Sequence, residues 1–170
     1  TIHQVHSPDV VTVTGLWDGP AAPRADGMVT SLPGLILGIL TADCAPILLA
    51  DSQAGVIGAA HAGWRGARAG VIEATVTAME VLGAQACRTS AVIGPCIAQA
   101  SYEVGEEFQQ LFLDIDDTNG ALFVNGINRR PHFDLAGFVH QRLIYAGVSK
   151  VSVLARDTCA EVQDFFSYRR

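Results

Sequence analysis

Two short motifs place polar and sulfur-bearing side chains inside otherwise apolar sequence. The first, TADC at 41–44, separates two apolar runs, and the second is HAGWRG at 61–66. A histidine followed by a glycine-rich turn and the start of a helix is a common arrangement in ligand-binding sites. Glycine lets the backbone approach a ligand, and the free N–H groups at the helix start favour anions. Arg65 adds a fork-shaped donor for phosphate or carboxylate. We therefore expect a catalytic site that contains Asp43, Cys44, His61 and Arg65.

These residue types suit two chemistries. One thiolate and two imidazoles can hold Zn²⁺ and leave a fourth position open for water or substrate. A Cys44–His61 pair can instead act as a thiolate nucleophile and its base. His3 and His6 are both candidates for the second imidazole. Their odd separation places them on opposite faces of an extended chain, so at most one belongs to the site. The residues by themselves leave both chemistries and both histidines open.

Composition narrows the class of partner. The chain of 170 residues has 11 basic and 17 acidic side chains, which gives a net charge of −6. A surface that reads nucleic-acid phosphates needs clustered Lys and Arg, so we expect no nucleic-acid polymer as a partner. No apolar stretch approaches the ~20 residues that cross a bilayer, and the first residues do not resemble a signal peptide. We expect a cytoplasmic protein that acts on a small molecule, without a membrane partner.

The cysteines and the ends of the sequence carry further expectations. A chain of this size without a secretion signal is expected to keep its cysteines as reduced thiols; they are Cys44, Cys87, Cys96 and Cys159. No repeat or low-complexity linker divides the sequence, which predicts one domain over residues 1–170. The final two arginines come soon after the apolar pair Phe165-Phe166, whereas a native terminus is usually a polar tail. We therefore expect that natural N- and C-terminal segments are missing.

The elements that position these residues follow from hydrophobic patterning. Short apolar runs between turn residues predict buried strands, at 35–40, 46–50, 56–60, 91–94 and 151–154. Apolar residues at helical spacing, followed by stop signals, predict helices, at 67–82, 102–113 and 134–146. Strands joined by tight turns tend to be antiparallel, and strands joined through a helix tend to be parallel. The sequence therefore predicts an α+β fold with a mixed sheet and helices packed outside it.

The motifs, taken in order, resemble the YfiH/laccase-domain family over essentially the whole chain. This family is also described as polyphenol oxidase, purine nucleoside phosphorylase and peptidoglycan editing factor. The pairing of TADC with HAGWRG is its most specific feature. The other matching segments are QVH at 4–6, DGMVT at 26–30, GPCI at 94–97, YEVG at 102–105, DTC at 157–159 and FFSYRR at 165–170.

The resemblance implies a zinc site, with copper as an alternative metal. Its ligands would be His6, Cys44 and His61, so the resemblance selects His6 and not His3. It also implies a layered α/β sandwich with mixed sheets, an architecture similar to the catalytic domain of cytotoxic necrotizing factor toxins.

The implied activities are phosphorolysis of purine nucleosides, namely adenosine, inosine, guanosine and methylthioadenosine, and deamination of adenosine. In deamination, Asp43 would act as the proton shuttle. Phosphorolysis requires a pocket for inorganic phosphate, and we expect Gly63, Arg65 and Arg169 to form it and to bind substrate.

Three other functions stay open at this point. A cysteine hydrolase would use Cys44 as nucleophile and His61 as base on an amide, which would accommodate peptidoglycan editing. A copper polyphenol oxidase fits less well, because a multicopper enzyme needs more imidazole-rich sites than the 5 histidines here can build. A non-enzymatic sensor of metal or nucleoside is the third. Cys96 and Cys159 lie in motifs near the expected site, and Cys87 has no functional interpretation.

Overall fold

The computed structural model describes residues 1–127 and 129–170. Eight strands are present in the described part: β1 (Val10–Thr12), β2 (Gly27–Thr30), β3 (Ala45–Asp51), β4 (Val56–Ala62), β5 (Ser90–Ile93), β6 (Phe123–Asn125), β7 (Pro131–Phe133) and β8 (Lys150–Val153). Six of them form one sheet in the order β1-β2-β4-β3-β5-β8, and β6 pairs with β7. The sheet is mixed, since β1–β2 and β5–β8 are parallel and the other pairs are antiparallel.

The helices are α1 (Trp64–Ala69), α2 (Val71–Val81), α3 (Glu106–Leu113) and α4 (Leu135–Tyr145). The predicted single helix over 67–82 is wrong in one respect, because Gly70 adopts a left-handed φ of 100° and separates α1 from α2. Glycine reaches this conformation without steric cost. α4 agrees closely with its prediction, and the Asp134 carboxylate caps it by accepting the Gly137 N–H.

The main core lies between one face of the six-stranded sheet and the helices α2 and α4. Inward-facing Ile47 and Ile93 meet Ile72 and Met79 of α2 and Leu143 of α4, all almost fully buried. Alternate residues of β3 are buried and exposed, as a strand covered on one face requires. The mixed α+β class predicted from the sequence is confirmed.

The segment 35–40 differs from its prediction, because it forms no strand. Leu35, Leu37 and Ile39 instead pack, half-buried, on a second small cluster that includes Ile2 and Met28. The prediction of a buried strand at 35–40 is therefore wrong, since Ile36 and Leu40 are exposed and the run forms no ladder. An apolar run cannot by itself distinguish a strand from a half-buried irregular segment.

Two local findings complete the architecture. The cysteines Cys44, Cys87, Cys96 and Cys159 are free thiols. Among the described residues, no helix has the length and apolar character needed to cross a membrane.

Candidate metal and substrate site

The fold brings three side chains that could hold a metal ion together at one end of the sheet. Ala45 pairs with Ala62 across the antiparallel strands β3 and β4. This register places Cys44, which precedes β3, beside His61 near the end of β4. His6 reaches the same place from the N-terminal segment, and the ligand atoms of these three side chains all lie within 4.8 Å of one another.

Their spacing suits a tetrahedral ion. The Cys44 Sγ lies 3.7 Å from the His6 Nε2, and the imidazole rings of His6 and His61 meet edge-on with centroids 4.7 Å apart. Zinc–nitrogen bonds of about 2.0–2.1 Å and a zinc–sulfur bond of about 2.3 Å, at a tetrahedral angle, place the two ligand atoms about 3.5 Å apart. The donor set and its spacing therefore fit zinc.

Gly63 makes this close approach possible. A Cβ at residue 63 would lie 2.7 Å from the His6 Cδ2 and 2.8 Å from the Cys44 Sγ. Carbon atoms do not approach so closely, so any side chain here would displace both ligands. His6, Cys44 and His61 are called the ligand set below. Gly63 leaves the space that this set needs, in addition to the substrate-binding role expected from the sequence.

Asp26, which belongs to the DGMVT motif but is not among the expected site residues, contacts the candidate ligands. Its Oδ1 lies 2.7 Å from the His61 Nδ1, and its Oδ2 accepts the backbone N–H of Ser7 at 2.7 Å. Burial acts to raise the pKa of Asp26, but hydrogen bonds from His61, Ser7 and Val5 outweigh it, and the net pKa is lowered. Asp26 is therefore a carboxylate, the His61 Nδ1–H donates to it, and the His61 Nε2 is left free to bind a metal.

The charges around Cys44 also favour a cation. Burial raises the pKa of the Cys44 thiol to about 11, and the carboxylates of Asp43 and Asp26 add to the rise. Burial lowers the pKa of His61, although its bond with Asp26 opposes the change, so the ring is neutral at pH 7. A cysteine that acts without a metal needs a nearby positive charge to lower its pKa. The surroundings of Cys44 are negative and thus disfavour the metal-free nucleophile.

Asp43 occupies a different position from the metal ligands. It is buried, with a left-handed φ of 83°. Its carboxylate accepts hydrogen bonds from the hydroxyls of Thr158 and Ser167, at 2.7 and 2.9 Å, and from the Arg169 N–H at 2.6 Å. These three hydrogen bonds anchor Thr158 and the segment 167–169 to Asp43. The proton shuttle expected for Asp43 stays a prediction.

The two expected phosphate-binding arginines lie at the surface of the site. The Arg169 Nη1 donates to the Glu103 carbonyl, and its guanidinium lies 5.2 Å from the centre of the Tyr102 ring. The exposed Arg65 stacks on Trp64, with 4.6 Å between its guanidinium carbon and the ring centre. Both guanidiniums retain N–H groups for an anion.

Tyr102 connects this surface with the ligand set. Burial raises the pKa of its hydroxyl to about 12, and the nearby Cys44 and Asp43 contribute. The guanidiniums of Arg169 and Arg65 act in the opposite direction. Tyr102 is therefore a neutral hydroxyl at pH 7, close enough to the thiol and to both arginines for their charges to affect it. The sequence offered only the YEVG motif as a signal for this residue.

Several other side chains lie outside the ligand set. His3 is exposed and pairs through its backbone with Arg24. Cys96 is buried, which raises the pKa of its thiol to about 12. Cys159 is half-buried and Cys87 is exposed.

The chain is similar in sequence to known proteins. A family model described as "Multi-copper polyphenol oxidoreductase laccase" matches residues 1–170. The chain is 40% identical over 170 residues to purine nucleoside phosphorylase RC0672 of Rickettsia conorii, covering 99% of this chain and 69% of the relative. It is 37% identical over 153 residues to adenosine deaminase RL5 of an unknown prokaryotic organism, covering 88% of this chain and 58% of that protein.

A solved structure shows the same fold. The crystal structure of the hypothetical protein YfiH of Bacillus licheniformis matches with a TM-score of 0.89 and 28% identity, over 99% of this chain and 67% of that one. The chain thus spans between 58% and 69% of the length of these three proteins.

Proposed function

We propose that this chain, which belongs to the family described as multi-copper polyphenol oxidoreductase laccase, is a zinc-dependent purine nucleoside phosphorylase that also deaminates adenosine. The observation that carries the proposal is the convergence of His6, Cys44 and His61 beside a surface with two arginines. The names of the relatives, a purine nucleoside phosphorylase and an adenosine deaminase, support the same pair of reactions.

Zinc would be held by His6, Cys44 and His61, and when bound it supplies Lewis-acid polarisation of a substrate oxygen. His6 is exposed while His61 is buried, so one side of the ligand set is open to a substrate. The neutral Tyr102 hydroxyl can donate to or accept from a nucleoside at this opening.

Phosphorolysis requires a bound phosphate. A phosphate oxygen forms a bond to the ribose C1′ while the bond from C1′ to the purine nitrogen breaks, which yields ribose 1-phosphate and the free base. We assign phosphate binding to the guanidiniums of Arg65 and Arg169, together with the backbone of the turn at Gly63. Asp43 holds the Arg169 backbone in place through the Arg169 N–H.

The test is an assay of inosine with phosphate, on protein of measured metal content, with and without a chelator. We expect phosphate-dependent release of hypoxanthine that chelation abolishes and zinc restores. Cys44→Ser should lose activity and zinc together, whereas the matched variant Cys87→Ser, which changes an exposed thiol, should keep both. If the metal-free protein hydrolyses amides and alkylation of Cys44 abolishes this activity, the protein is a cysteine hydrolase and the proposal is wrong. If the protein binds nucleosides without turnover, it is a sensor and the proposal is also wrong.

A further inference from the structure

One buried carboxylate contacts both histidine-bearing segments of the ligand set. Asp26 is fully buried. Its Oδ1 accepts from the His61 ring, and its Oδ2 accepts the backbone N–H groups of Val5 and Ser7, at 3.1 and 2.7 Å. Val5 and Ser7 are the residues on either side of His6.

The backbone of Asp26 repeats this arrangement. Its carbonyl accepts the His61 N–H at 2.7 Å, and its own N–H donates to the Asp9 carbonyl at 3.0 Å. The residue thus joins β4 to the N-terminal segment through both its main chain and its side chain. Residues 5–7 form no helix or strand of their own.

His6 needs such support, because its φ is 61°. A residue with a Cβ adopts this left-handed conformation only where its surroundings enforce it. The Asp26 Oδ2 accepts the Ser7 N–H, which belongs to the peptide that follows His6, and the Val5 N–H, which lies one peptide before the one that leads into His6. The carboxylate therefore holds the chain on both sides of His6. Apart from the close approach of Gly66 in α1 to the His6–Ser7 backbone, the backbone contacts described for this segment are those to Asp26.

We propose that Asp26 is the positioning residue of the metal centre, in which one carboxylate sets the tautomer of His61 with one oxygen and the backbone conformation of His6 with the other. The inference rests on the proposed zinc site. A carboxylate that orients a single histidine ligand is a general feature of metal sites. Here the same group would orient two ligands from segments far apart in sequence.

Asp26→Asn tests the proposal, since an amide offers one acceptor oxygen where Asp26 uses two. Either His61 or the N–H groups around His6 would then face an NH₂ donor. We expect zinc affinity to fall by about 10–100-fold, measured on metal-stripped protein by competition with a chromophoric chelator. Asp51→Asn is the matched control. Asp51 is also buried and also accepts several backbone N–H groups, but its partners are Gln53, Ala54, Gln85 and Arg88.

Nitrogen-15 NMR of the His61 ring provides a second measurement that requires no variant. In the metal-free wild type it should show the Nδ1–H tautomer, and a predominant Nε2–H tautomer would overturn the proposal. Equal zinc affinity in Asp26→Asn and wild type would also overturn it, as would an equal loss in Asp51→Asn, which would indicate general destabilisation. A wild type that binds no zinc would instead refute the proposed function, and with it the role of Asp26 at a metal.

Discussion

At the scale of single residues, the close approach of His6 and Cys44 depends on glycine at position 63, where there is no space for a methyl group. Gly63→Ala would place a carbon within 2.8 Å of the Cys44 sulfur and closer still to the His6 ring. We expect the variant to bind zinc at least about tenfold more weakly, because the ligands must separate. The same chelator competition measures it. Gly15→Ala is the control, since a Cβ there meets nothing within 4 Å and should leave the affinity unchanged.

Arg65 carries a second prediction at this scale. Its guanidinium forms a bidentate donor near Tyr102, and loss of a charged hydrogen bond to an anion costs about 1.5–3 kcal/mol. Arg65→Ala should therefore raise the KM for phosphate by at least about tenfold and leave the KM for inosine nearly unchanged. Lys150→Ala removes the same charge at the start of β8, at the opposite end of the sheet, and should change neither value. An unaltered phosphate KM in Arg65→Ala would remove this residue from the phosphate site.

At the scale of elements, the end of the chain is held against the site by Asp43. Ser167 donates its hydroxyl to the Asp43 carboxylate, and the Arg169 N–H donates to the same oxygen. These hydrogen bonds fix the position of the Arg169 backbone, although residues 165–170 belong to no helix or strand. The segment is therefore positioned by polar contacts and not by burial of apolar surface.

Ser167→Ala should loosen this segment. We expect amide hydrogen exchange at Arg169 to become about tenfold faster, because a hydrogen bond to a buried carboxylate is lost. Ser149→Ala, which removes a hydroxyl that donates to the Cys87 carbonyl at the surface, is the matched control and should leave exchange at Arg169 unchanged. Unchanged exchange in Ser167→Ala would show that Asp43 does not anchor the segment through this hydroxyl.

At the scale of the whole molecule, a cluster of aromatic rings packs between α3 and α4 and reaches the site through Tyr102, whose ring centre lies 5.9 Å from that of Phe133. Phe112 of α3 is fully buried and packs against four other phenylalanines; they are Phe108, Phe123, Phe133 and Phe138. Phe112→Ala should lower the free energy of unfolding by about 3–5 kcal/mol, since it leaves a cavity in a tightly packed core. Phe166→Ala, at a ring that is 87% exposed, should change it by less than about 0.5 kcal/mol. Denaturant titration distinguishes the two.

Because of Asp51, the free energy of unfolding should change with pH in the acid range. The Gln85 N–H and the Arg88 guanidinium hold its pKa at about 2, below the ordinary value of 3.8. The folded state therefore binds this proton less tightly than the unfolded state, and the stabilisation is present above about pH 4 and lost as pH falls towards 2. In Asp51→Asn, the Tm should be lower at neutral pH and should fall less steeply between pH 4 and 2. A parallel Tm curve in wild type and variant would contradict this.

The sequence predicted those elements whose signals are local. The runs at 46–50, 56–60, 91–94 and 151–154 correspond to β3, β4, β5 and β8, and Asp134 marked the start of α4. The strands β1, β2, β6 and β7 were missed. β1, β6 and β7 have three residues each, too few to show a period, and β2 offers only Met28 and Val29 as an apolar run. The helix predicted from residue 102 begins at Glu106, after the N-cap Gly105.

For the site, the sequence by itself determined the donor types, through Cys44 and His61 in motifs that interrupt apolar strands. Residue spacing left His3 and His6 both open, because a left-handed residue in an irregular segment has no periodic signal. The family resemblance implied His6, and the tertiary structure shows its ring beside Cys44 and His61. Only the tertiary structure gave Asp26 a role, since its partners lie 19 to 35 residues away along the chain. Local patterning follows from interactions between near neighbours, whereas the orientation of a ligand set depends on hydrogen bonds that form when distant segments meet.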